Sequence, residues 1–156
     1  MGKATGDRHG RRGLAALGYD LRNRLSARLA ARARPPTGFT SQPEPRTIGS
    51  FARGRQLCAG NFQFAGFLIE GKDQSIWDIP MPDPHFEEAL QGGAWLDDLA
   101  AVGDRVARTK AQEWVFGWIA RYGDGSGAGW TPDLTGRRLI RWINHALMLL
   151  SGQERA

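Results

Sequence analysis

The sequence predicts a mainly α-helical protein carrying one short extended segment, and three observations lead there. Apolar residues recur at three- and four-residue spacing over 14–29, 94–102, 105–122 and 139–150. Aromatic and β-branched residues broken by glycine are confined to 51–79. Pro80, Pro82 and Pro84 then close that stretch, because proline supplies no backbone N–H to a ladder. At 156 residues, 41% of them apolar, the chain has room for one core.

Leu14, Leu17, Leu21, Leu25 and Leu29 form one narrow stripe of a helix ending before Pro35-Pro36. Residues 1–46 hold ten basic and three acidic side chains, a surplus of +7 against a formal charge of +5 for the whole chain. The basic character therefore belongs to this leader, and the remainder is mildly acidic. Residues 1–34 read as a basic amphipathic leader helix whose leucine seam rests on the rest of the protein. The functional alternative is attachment to an anionic membrane surface through residues 1–34. An organelle-import leader shares the arginine-rich look. Nucleic acid is not an expected partner, since no aromatic residues interleave the arginines. Residues 35–47, with four prolines, read as an extended linker. The longest uncharged stretch, Gln56 to Ile69, is too short and too polar to span lipid, and the apolar run after the basic start is soon interrupted by Asp20, Arg22 and Arg24. Neither a transmembrane helix nor a conventional signal peptide is expected.

From Phe51 to Ile79 the pattern favours short extended pieces over helix, with a bend at Ala65-Gly66 between two short strands. Then come helices over His85–Gln91 and over Ala94–Val102, the second stopped by Gly103. A third, capped by Asp104, runs to about Tyr122. Trp114 and Trp118 sit on its broad apolar face over Ala107 and Ala111, which suits close packing better than a platform for sugar rings. Gly123–Gly129 is a connection, and Thr131-Pro132 opens the last helix.

On that last helix Leu139, Ile140, Trp142, Ile143, Ala146, Leu147 and Leu150 fill one side, and Arg137, Arg138, Arg141, Asn144 and His145 the other. Arg137, Arg141 and His145 repeat at four-residue steps, a row of donors suited to carboxylate or sulfate. A solvated helix face explains the row as well. Arg137, Arg141, Asn144 and His145 are the candidate substrate-binding residues. No acidic residue lies near His145 in sequence to orient its ring, and Glu87-Glu88 and Asp97-Asp98 are expected to face water. His85 reads as a helix-start cap. Cys58 is the one cysteine, so no intrachain disulfide or cysteine-based zinc cluster is expected, and the thiol reads as a small buried apolar group. There is no GxSxG, no glycine-rich loop leading into Lys-Ser or Lys-Thr, and no HExxH, so no catalytic residue, metal or cofactor is assigned.

The stretches GRQLCAGNFQFAG, SIWD, LQGGAWLDDLAAVGD and WTPDLTGRRLIRWINHAL, spread over residues 46–152, resemble the N-terminal region of heparinase II/III family proteins of alphaproteobacterial type. The resemblance implies that residues 48–156 open an incomplete (α/α) toroid, continued in longer members by more helical hairpins and a β-sandwich. It also implies β-elimination at an acidic polysaccharide, in the cell envelope or periplasm, with catalytic groups supplied by later segments. On this reading the chain is an N-terminal fragment of a polysaccharide lyase, inactive alone. Trp114, Trp118, Trp142 and the Leu147–Leu150 end would then expose apolar area for missing hairpins to cover. A non-enzymatic helical module, binding an anionic membrane or polyanion through its basic N-terminus, is the alternative.

Overall fold

The computed structural model describes residues 7–34, 38, 40, 41, 44, 45 and 47–152, with side chains in the first helix from Leu17 onward. Residues 1–6, the side chain of Leu14, and seven of the thirteen positions in the Pro-rich stretch lie outside the described residues. Among the described residues, seven α-helices and one hairpin follow in the order α1 (Asp7–Ala30), α2 (Phe51–Ala59), β1 (Asn61–Phe64), β2 (Phe67–Glu70), α3 (Pro84–Gln91), α4 (Trp95–Val102), α5 (Arg105–Tyr122), α6 (Pro132–Asn144) and α7 (Ala146–Leu150), with a 3-10 turn at Ala128–Trp130 before α6. The mainly helical expectation holds.

Helix α2 corrects the expectation of extended chain after Phe51. The Ser50 hydroxyl accepts from Arg53 N at its start, and Gly60 ends it in the left-handed conformation at φ 87°. Gly54, which looked like a breaker, is instead a contact. A Cβ there would sit 2.2 Å from Asp98 O, so its absence lets α2 lie directly against α4. The strands pair antiparallel, Phe62 opposite Ile69 and Phe64 opposite Phe67. Ala65 and Gly66, at φ 49° and 87°, make the two-residue turn that the right-handed twist of a hairpin favours.

Asp83, not His85, caps α3, accepting from Phe86 N at 2.7 Å. Asp104 does the same for α5 through Ala107 N. Along α5 the residues Ala107, Ala111, Trp114, Val115 and Trp118 are buried, which settles the two indoles as core and corrects the expectation that they are left exposed. Trp114 packs edge-on against Trp95 at 5.4 Å and against Phe62 at 5.9 Å. The buried indole N–H groups are satisfied, Trp77 donating to Trp114 O, Trp95 to Leu90 O and Trp118 to Gln91 Oε1. Cys58 is only partly buried, against the edge of this core. Burial, the larger influence, and the nearby Asp104 carboxylate raise its thiol pKa.

Two helices attach the other way round. On α6 the buried residues are Leu134 and Arg138, while Leu139 and Ile140 on α6 and Leu147 and Leu150 on α7 are between 53% and 63% exposed. On α1 the leucine seam does not rest on the domain, for Leu17, Leu21, Leu25 and Leu29 are between 57% and 71% exposed. Helix α1 meets the domain by its opposite side, where Asn23 Nδ2 donates to Trp130 O at 3.2 Å. The backbone approach is close. A Cβ on Gly125, itself at φ 90°, would lie 2.6 Å from Arg24 N.

Candidate functional site

The polar face of α6 is anchored through Asp97, on α4. Asp97 Oδ2 accepts from Arg141 Nε and Asp97 Oδ1 from His145 Nε2, each at 2.8 Å. All three side chains are largely shielded, at 7% exposure for Asp97, 10% for His145 and 19% for Arg141. Burial works against the charge on Asp97, but hydrogen bonds from His145 and Arg141, helped by their charges, outweigh it and hold the carboxyl below its ordinary range. An ionised carboxylate can only accept, so His145 Nε2 is the donor in this bond.

Helix α4 also turns its second carboxylate inward. Asp98 Oδ1 accepts from Ser50 N at 2.7 Å, and Arg53 approaches both oxygens at 3.2 Å through Nη2 and Nε. The adjacent acids 97 and 98 are thus buried and paired, contrary to the expectation that both face water. They point in different directions, as successive helical residues must, and each receives a different helix.

Arg138 lies deepest. It is 4% exposed, donates through Nη1 to Gln91 O and Gly129 O, and lies 3.7 Å above the Trp118 ring. Burial lowers its pKa to about 10, which still leaves the guanidinium charged at neutral pH. Arg141 adds a bond from Nη1 to Gly92 O. Together the two arginines satisfy carbonyls at the C-terminal end of α3, where a helix leaves acceptors unpaired and favours positive charge.

The four candidate residues are therefore divided. Arg137 and Arg141 line a cleft of about 470 Å³ beside Arg53, His85, Glu88 and Asp98. Asn144 and His145 line another, with Arg108 and Ser151, on the far side of Asp97. Arg137 forms an exposed side-on pair with Asp133 one turn earlier, at 3.1 Å from Nε and 2.8 Å from Nη2. The single row of donors expected along the helix does not face one groove. Sequence reading missed Asp97, Asp98, Arg53 and the burial of Arg138. The partners of Asp97 lie 44 and 48 residues away, and no local spacing announces them. The one signal available was the placement of two acids inside the apolar run WLDDLAAV. Among the described residues no group of three His, Cys, Asp or Glu side chains is placed to hold a metal ion.

Comparison with known proteins overturns the heparinase reading. No family model matches the chain, and no solved structure matches it. A curated relative, FtsZ-localized protein C of Caulobacter vibrioides, is 29% identical over 106 residues, which is 67% of this chain. The matched stretch spans only 18% of that relative's length. The polysaccharide-lyase assignment rested on the family resemblance and falls with it. So does the incomplete toroid as a deduction; what stands is a mainly helical domain with one two-stranded sheet.

Proposed function

We infer that the chain is a localisation module that rests α1 on an anionic membrane surface. One observation carries this reading: the leucines of α1 point away from the domain, because Asn23 on the opposite side holds the helix to Trp130 O. Arg22 and Arg24 flank the leucines, and Arg28 lies within the stripe toward its C-terminal end. A helix with an apolar stripe edged by arginines can lie in the lipid interface, leucines toward the acyl chains and guanidiniums among the phosphates. Each arginine near an anionic surface contributes roughly 1 kcal/mol, and salt weakens that share. No helix among the described residues is long and apolar enough to cross a membrane, so contact through α1 is peripheral. The relative's name places that protein with FtsZ, and a surface-bound helical module fits a role in positioning a protein within such an assembly.

The test is co-sedimentation of the full chain with vesicles. It should pellet with phosphatidylglycerol-containing vesicles and stay in the supernatant with phosphatidylcholine alone. Leu21→Glu with Leu25→Glu should reduce the bound fraction at least tenfold, and Arg22→Gln, Arg24→Gln and Arg28→Gln together should weaken its salt dependence. Equal binding by the leucine variant and the parent would overturn the reading.

A further inference from the structure

The cleft of about 470 Å³ between α2, the hairpin, α3 and α6 is lined by three guanidiniums, and each is held by a carboxylate in a way that leaves one terminal nitrogen over. Arg53 grips Asp98 with Nε and Nη2. Arg137 grips Asp133 with the same two nitrogens. Arg141 gives Nε to Asp97 and Nη1 to Gly92 O and Arg137 O. Among the described residues, Nη1 of Arg53, Nη1 of Arg137 and Nη2 of Arg141 have no hydrogen-bond partner. Asp133 and Asp97, which anchor two of the three arginines, are not part of the cleft wall. The wall itself therefore carries three guanidiniums and the His85 ring against Asp98 and Glu88, with both oxygens of Asp98 already engaged.

The surplus on this wall is of donors; Arg141 is held by Asp97 and two carbonyls, while Arg53 and Arg137 pair with carboxylates from exposed positions. A guanidinium already held as Arg141 is loses little freedom when a ligand arrives. A carboxylate offers two oxygens in one plane, whereas donors from three separate arginines suit a tetrahedral group with acceptors on several sides. We propose that this cleft binds a phosphate group, held by the remaining terminal nitrogens of Arg53, Arg137 and Arg141. The site is separate from the leucine face of α1 and does not depend on the localisation reading.

Titrate the full chain with inorganic phosphate against potassium chloride of equal ionic strength, following the arginine side-chain N–H resonances by NMR. Saturable shifts confined to Arg53, Arg137 and Arg141 are expected, with a dissociation constant in the millimolar range. Arg137→Gln should weaken binding at least tenfold without moving the thermal midpoint, since Arg137 is tied only to exposed Asp133. Arg53→Gln provides a second variant from a different helix. Shifts that rise without saturating, or a dissociation constant unchanged within twofold in both variants, would overturn the proposal. Two further arms identify the source of the phosphate. Tighter binding of glycerol 3-phosphate than of inorganic phosphate supports a soluble ester. Residual vesicle binding by the Leu21→Glu, Leu25→Glu chain that disappears on adding Arg137→Gln supports a lipid headgroup.

Discussion

Helices α5 and α6 are both amphipathic and both pack against the same domain, yet they meet it in opposite senses. Helix α5 turns its apolar side inward, and alanines 107 and 111 let the helix come close while Trp114 and Trp118 fill the interior. Helix α6 turns Arg138 and Arg141 inward beside Leu134 and Trp142, and leaves Arg137, Leu139 and Ile140 outside. The difference lies in what each helix finds on arrival. Helix α5 meets an aromatic layer of Phe62 and Trp95, with the Trp95 N–H satisfied by Leu90 O, and its own Trp114 carbonyl accepts the Trp77 N–H. Helix α6 meets the C-terminal carbonyls of α3, the Gly129 carbonyl and the Asp97 carboxylate, all needing donors. Periodicity identifies which side of a helix is apolar; unsatisfied acceptors on a neighbour can decide which side faces in.

The largest effect separating the two interfaces comes from the aromatic layer. Trp114 is 2% exposed, and Trp114→Ala should cost about 3–5 kcal/mol by removing buried surface and leaving a cavity. Urea unfolding checks this, and a loss below about 1 kcal/mol would show that the layer is not the source of stability. On the inverted side, Arg138→Met keeps much of the volume but strips Gln91 O and Gly129 O of their donor. A loss of about 2 kcal/mol is expected. A more stable variant would mean that desolvating the guanidinium outweighs what its bonds return, and the polar interface would then not explain the orientation of α6.

Much of the first interface was legible in the sequence, and little of the second. The caps Asp104 and Thr131, the glycine stop at 103, the bend at Ala65-Gly66 and the core face of α5 all follow from local chemistry within a few residues. Helix α2 did not, because Gly54 reads as a breaker until the backbone of α4 is placed 2.2 Å from where its Cβ would be. The roles of Asp97 and His145 did not either. Each is informative only beside the other, 48 residues apart, and an isolated pair of adjacent acids has solvent as its ordinary partner. The leucine seam of α1 was visible as a pattern, but its outward direction depends on Asn23 reaching Trp130 O, 107 residues away.

Acid should distinguish the interfaces further. The carboxyl of Asp97 is held below its ordinary range in the folded protein, so the unfolded chain takes up its proton first as pH falls. The stability this supplies is fully present above about pH 4, the ordinary aspartate value, and is lost as pH drops through the folded value. Asp97→Asn should cost about 2 kcal/mol at pH 7, discounted for the part-exposed Arg141, and should flatten the fall in stability below pH 4. Melting curves of both proteins between pH 3 and pH 7 decide this, and parallel acid limbs would remove Asp97 from the account.

The smallest expected effect is the most discriminating. If α6 is held by its polar face, its outward apolar residues contribute nothing to the folding of the isolated chain, and replacing them should leave stability unchanged. Leu139→Ser with Ile140→Ser should therefore shift the free energy of unfolding by no more than about 0.5 kcal/mol, against several for a single core tryptophan. Serine matches Ile140 as a helix former and is only a few tenths of a kcal/mol worse than Leu139, which the limit of about 0.5 kcal/mol includes. The measurement is paired urea unfolding of parent and double variant under one set of conditions. A loss of about 2 kcal/mol would place those side chains against the domain in solution. Helix α6 would then pack as α5 does, and the contrast between the two would disappear.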